Sequence, residues 1–114
     1  MTMSHESKVL WNKLMDKLLV LEDAKKRLDA IPSDLKPDYE GIISSTFSEI
    51  QQVRGMMTFL VGGADIEFPS DEQIEKLRAS VGALAAIVHT SQDFSDLVVK
   101  LTAVLNSWPV STPG

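Results

Sequence analysis

The side chains that could carry chemistry in this 114-residue chain are few, and they include only two histidines, His5 and His89. His89 and Asp93 are four residues apart, a spacing that places two metal-binding side chains on one helical face. A metal site would need further ligands, and the Glu-x-x-His motif of di-iron bundles is absent from the sequence. A histidine at a helix C-terminus can instead cap the last carbonyl groups, which is the role that we predict for His89. We therefore predict no metal site.

No motif in the sequence predicts catalysis or a bound cofactor. Cysteine is absent, and so are the phosphate-binding loop, the dinucleotide-binding glycine pattern and the nucleophile elbow of serine hydrolases. The acid pairs Glu72/Glu75 and Asp93/Asp96 fall in the first turns of predicted helices, where the helix dipole stabilises negative charge without any catalytic role. We predict a protein that is not an enzyme and that has no catalytic residues and no cofactor.

Charge and hydropathy argue against nucleic acids and membranes as partners. The net charge is −5, and the only compact basic cluster, Lys25-Lys26-Arg27, is flanked by acids, so nucleic-acid binding is not predicted. No uninterrupted apolar run exceeds six residues, whereas a membrane-spanning helix needs about 20. The N-terminus lacks the pattern of a signal peptide. We expect a soluble, cytoplasmic protein that does not bind membranes.

Apolar residues recur at three- and four-residue steps in four segments, which predicts helices at about 5–30, 37–61, 71–89 and 92–107. Because short connections place consecutive helices antiparallel, we predict an all-α, up-down-up-down four-helix bundle. It would form a single domain over 1–114, with frayed ends at 1–4 and 110–114. Neither Gly nor Pro marks the joint at 89–93, so helices three and four could form one kinked rod, although a hairpin is favoured.

Two of the predicted helix ends have clear sequence signals. Gly62-Gly63 follows the second helix at once, and glycine after the last turn can adopt the left-handed capping conformation. In that last turn we predict that Leu60 and Val61 face the core. Ser70 followed by Gln73 is a capping box, which predicts the start of the third helix.

The second helix is distinctive on the face opposite its apolar stripe, where most residues are small or polar. The large exception is Phe59, and Met56 also lies off the stripe. In the first helix, Met15 and Leu19 lie outside the stripe as well, so the helix carries more apolar residues than a monomeric bundle requires. Small residues can be ordinary filler on an exposed helical face, but together with surplus apolar residues they favour an interface with another protein.

We therefore predict a non-enzymatic helical interaction module of the adaptor, chaperone, immunity or regulatory type. It would dock a partner protein or form a homo-oligomer, with a dimer favoured. The predicted interaction residues are Gly55, Met56, Phe59, Ser48, Gln52, Met15 and Leu19.

The alternative function is a small-molecule or lipid carrier with an apolar cavity between the helices. Its lining would include flexible methionines and the two tryptophans, which the antiparallel arrangement places near one end of the bundle. These residues are Met15, Met57, Trp11 and Trp108.

Overall fold

The computed structural model describes residues 5–63, 69–88 and 94–108, and within these ranges it contains four α-helices and no strand. In chain order they are α1 (His5–Asp29), α2 (Lys36–Val61), α3 (Asp71–Ile87) and α4 (Phe94–Ser107). The predicted all-α four-helix bundle is confirmed. The predictions for the chain ends and for His89 and Asp93 lie outside the described residues. Because α3 packs along α4, these two helices form a hairpin and not a kinked rod.

Both predicted helix ends are confirmed. At the end of α2, the Gly62 N–H donates to the Thr58 carbonyl over 3.0 Å, and Gly63 has a φ of 89°, a conformation that glycine adopts at little cost. At the start of α3, the Gln73 N–H donates to Ser70 Oγ over 3.2 Å. The Ser70 N–H in turn donates to Gln73 Oε1 over 3.0 Å, which completes the capping box.

The bundle consists of two hairpins, α1/α2 and α3/α4. Two contacts fix their relative direction: the Arg27 guanidinium lies 5.3 Å from the centre of the Phe94 ring, and Lys17 Nζ donates to the Trp108 carbonyl. The end of α1 therefore lies near the start of α4, and the middle of α1 lies near the end of α4, so these two helices are antiparallel. Because α2 is antiparallel to α1, α2 and α4 are parallel. Within the described ranges, the backbones of α2 and α3 do not approach each other closely, so these helices occupy diagonal positions.

The core follows the predicted stripes, but it is wider than they are. The sequence predicts the α1 stripe from one aromatic residue and four leucines, namely Trp11, Leu14, Leu18, Leu21 and Leu28. All four leucines are buried, and Trp11 is partly buried. Residues beside the stripes are buried too, because the apolar face of a packed helix spans 100° or more. Val61 is an exception to the prediction: it is 59% exposed, since it lies at the edge of the stripe in the final residue of α2. None of the helices, over the residues described, has the length and apolarity to cross a membrane.

Candidate functional site

A solvent-open groove of about 330 Å³ runs between α1 and α2. Its lining combines apolar and charged side chains, namely Glu22, Lys25, Lys26 and Asp29 of α1 and Phe47, Ile50, Gln51 and Arg54 of α2. The groove exists because the apolar stripes of the two helices meet on their core side, while the residues at the stripe edges diverge towards solvent.

Ion pairs organise the charged rim of this groove. Arg54 reaches across from α2 and pairs with Glu22 on α1. Lys25 pairs with Asp29 one turn later in α1, with 2.9 Å between Nζ and Oδ2. The same ammonium group lies 5.8 Å from the centre of the Phe47 ring, within the range of a cation–π contact. The rim is therefore largely preorganised, with each of its two carboxylates already held by a cation.

Three large apolar side chains are exposed around the groove. Phe47 is 52% exposed and Val61 is 59% exposed, and with Arg54 they recur at seven-residue steps, which places all three on one side of α2. On α1, Leu19 is 53% exposed and precedes Glu22 by three residues, so the two share a face. We call this surface the groove face: Met15, Leu19, Glu22, Lys25 and Lys26 of α1 with Phe47, Arg54 and Val61 of α2.

The predicted interaction residues do not lie on one face. Met15 and Leu19 belong to the groove face, where Met15 is half-buried against the core. Phe59 is 43% exposed, but it follows Phe47 by 12 residues, which places it about 120° further round α2. On that second side it is accompanied by the other predicted residues of α2, of which Ser48 is exposed and Gln52 and Gly55 are half-buried.

The prediction that Met56 points away from the core is wrong. Its side chain is only 5% exposed and belongs to the hydrophobic core. Met56 follows Val53 by three residues and precedes Leu60 by four, so it extends the stripe sideways and does not lie opposite to it. Phe47, which is not among the predicted interaction residues, is 52% exposed on the opposite side of α2. Its signal in the sequence was the seven-residue spacing to Arg54 and Val61.

The residues predicted to line a carrier cavity are mainly core residues. Met57 and Trp108 are 8% and 7% exposed and belong to the core, and Trp11 and Met15 pack against it. Neither the groove nor a smaller cavity of about 180 Å³ between α1 and α3 is lined by these four residues.

A buried lysine that was not predicted from the sequence lies in α1. The Lys17 side chain is 0% exposed, and its Nζ donates to Glu49 Oε1 and to the Trp108 carbonyl oxygen, each over 2.6 Å. We call this arrangement the Lys17 clasp, because it joins α1, α2 and the end of α4. The sequence feature that could have indicated its burial is the position of Lys17 three residues after Leu14 and four before Leu21, in the middle of the apolar stripe.

Burial lowers the pKa of Lys17 below its ordinary value, and the hydrogen bond and charge of Glu49 oppose that shift. A lysine with a lowered pKa can act as a nucleophile or a base, but only where a substrate can reach it. The Lys17 side chain has no exposure to solvent, so the clasp connects helices and provides no reactive group.

The lowered pKa predicts that stability rises with pH on the alkaline side. Between the lowered pKa of folded Lys17 and the unfolded value of 10.5, the unfolded chain binds more protons than the folded one. The free energy of unfolding should increase across this window, with a slope of at most about 1.4 kcal/mol per pH unit from this one group. Urea denaturation at a series of pH values measures the slope. The Lys17→Met variant is the control, and an identical slope in both proteins would contradict the prediction.

Over the part of the chain that the structure describes, no three His, Asp or Glu side chains are grouped so that they could hold a metal ion. Comparison with known proteins finds no match to a family model, to a curated protein or to a solved structure.

Proposed function

We propose that this chain is a non-enzymatic protein-interaction module that binds a partner protein through the groove face. The observation that carries the proposal is the distribution of exposed apolar side chains. Of the six large ones that are exposed in the described residues, five lie in the first hairpin or its connection, and three of these belong to the groove face. Single exposed apolar residues are ordinary, but several that share one face beside a groove are typical of binding surfaces.

The groove face has the anatomy of a protein interface. Phe47 provides a large aromatic anchor beside the groove, and Leu19 and Val61 extend the apolar surface along both helices. The ion pairs around Phe47 form a polar rim that fixes orientation without closing the groove. Truncation of a hot-spot residue at the centre of an interface costs about 2 kcal/mol or more, and aromatic side chains are frequent among such residues, so one anchor can dominate the affinity.

A second copy of the chain is the alternative occupant of the same surface. A dimer formed through a two-fold axis would bury Leu19, Phe47 and Val61 of both copies at once. Light scattering coupled to size exclusion distinguishes the two occupants, because only self-association changes the molar mass of the purified chain.

Aspartate at position 47 is expected to weaken partner binding at least tenfold, because it places a charge where an aromatic anchor meets the partner. The matched control is Val99→Asp, because Val99 is 62% exposed but lies on α4, in the other hairpin. Affinity capture from host lysate and light scattering should be run on both variants and the unmodified chain. Binding or dimerisation that Val99→Asp abolishes and Phe47→Asp preserves would contradict the proposal.

A further inference from the structure

We propose that the groove receives an amphipathic helix with a net negative charge, supplied by a partner protein. This inference rests on the proposed function and adds to it the chemistry of the partner. Its basis is the charge of the groove relative to the rest of the chain. The lining holds three of the 11 Lys and Arg residues but only two of the 16 Asp and Glu residues, so a locally cationic surface lies on a chain of net charge −5.

The two carboxylates of the lining do not cancel this attraction for an acidic partner. Glu22 is held by Arg54 and Asp29 is held by Lys25, so neither presents an unpaired negative charge to the groove. Lys26 makes no ion pair with any described residue, although it lines the same groove. An incoming carboxylate would therefore meet one ammonium group that pairs with no described residue, and two cations that can share their hydrogen bonds.

The shape and length of the groove face suit a helix. Two antiparallel helices form its walls, and a third helix can lie in such a groove with its apolar residues directed inwards. Phe47 and Val61 are 14 residues apart on α2, which corresponds to about 21 Å along the helix axis. A docked helix of about four turns would cover this distance, with apolar residues at three- and four-residue steps on one face and acidic residues beside them.

The same charges disfavour a second copy as the occupant. A two-fold dimer would place one cationic groove against another. If the groove instead received an acidic helix from a second copy, the contact would be head-to-tail and would generate a ring or an open filament, not a two-fold dimer. An acidic helix from a different protein would cover the exposed apolar residues of the groove face and place a carboxylate near Lys26.

A peptide selection tests the proposal directly. The probe is a surface-displayed library of helical peptides with leucine fixed along one face and the remaining positions varied among Glu, Gln and Lys. We expect the purified chain to enrich peptides rich in glutamate. Their affinity should fall at least tenfold with Phe47→Asp. It should also fall with Lys26→Glu and as the salt concentration rises, because surface charge attraction is screened. The control is Lys100→Glu on α4, which should leave affinity unchanged.

The results of the selection distinguish the acidic helix from the more general proposal that the groove face binds a protein. Enriched peptides that depend on Phe47 but carry no excess of glutamate would overturn the acidic helix and leave the interaction function standing. Peptides that bind the Phe47→Asp variant as well as the unmodified chain would overturn both. A purified chain that forms a dimer dependent on Phe47 would replace the acidic helix by a second copy.

Discussion

Replacing Glu49 by alanine is expected to lower the free energy of unfolding by about 3–5 kcal/mol, because Lys17 then keeps a buried positive charge without its carboxylate partner. The Trp108 carbonyl alone cannot neutralise that charge. Burial supports the size of the effect, since the side chains of Lys17 and Glu49 are 0% and 13% exposed. Urea denaturation followed by circular dichroism measures the change.

The surface pair between Glu22 and Arg54 provides the control for this effect. The two side chains are 31% and 54% exposed, so Glu22→Ala should lower the free energy of unfolding by only about 0–1 kcal/mol. Replacing both members of the buried pair, as in Lys17→Met with Glu49→Leu, should recover most of the stability lost in Glu49→Ala. If Glu49→Ala costs no more than Glu22→Ala, the clasp does not connect the helices in solution.

Truncation of Met56 to alanine is expected to lower the free energy of unfolding by about 2–5 kcal/mol, because it leaves a cavity in the core. Phe59→Ala removes a larger side chain from the same helix, but Phe59 is 43% exposed and Met56 only 5%. The Phe59 variant should therefore lose less stability than the Met56 variant. The two variants can be compared by thermal and urea unfolding. A larger loss of stability in Phe59→Ala than in Met56→Ala would contradict the burial of Met56 and the exposure of Phe59.

Much of the fold was predictable because helical periodicity and capping are local properties of the chain. The four stripes indicated the four helices, and the Ser70–Gln73 capping box and the double glycine marked their ends. The lateral order of the helices was not predictable in this way. A stripe shows which side of a helix is buried but not which helix covers it, and the diagonal placement of α2 and α3 depends on contacts between distant segments.

The Lys17 clasp shows why a buried charge is difficult to predict from one sequence. A lysine within an apolar stripe could interrupt the stripe or extend its charged end to solvent. The partners that permit its burial are 32 and 91 residues away, at Glu49 and Trp108, and no local pattern joins them. Lys25 interrupts the same stripe but lies at the groove edge, paired with Asp29.

The exposed apolar surface was predicted in part. An excess of apolar residues in the first two helices indicated an exposed apolar surface. Leu19 and Phe59, which were predicted to lie off the apolar stripes, are exposed to solvent. Met56 was assigned to the wrong side because a stripe of one apolar residue every three or four positions underestimates the width of a buried face. Phe47 was missed because its spacing to Arg54 and Val61 places it off the apolar stripe but does not show that a groove between α1 and α2 lies beside it.

Photo-crosslinking from position 47 tests most directly whether the groove face meets a partner. Phe47 would be replaced by p-benzoylphenylalanine, a photoreactive residue that retains the aromatic ring, and Val99 would carry the same residue as the control. Irradiation in the native host should give one dominant adduct from position 47 and none of that mass from position 99. No adduct from position 47, together with an adduct from position 99, would contradict the assignment of the groove face as the binding surface.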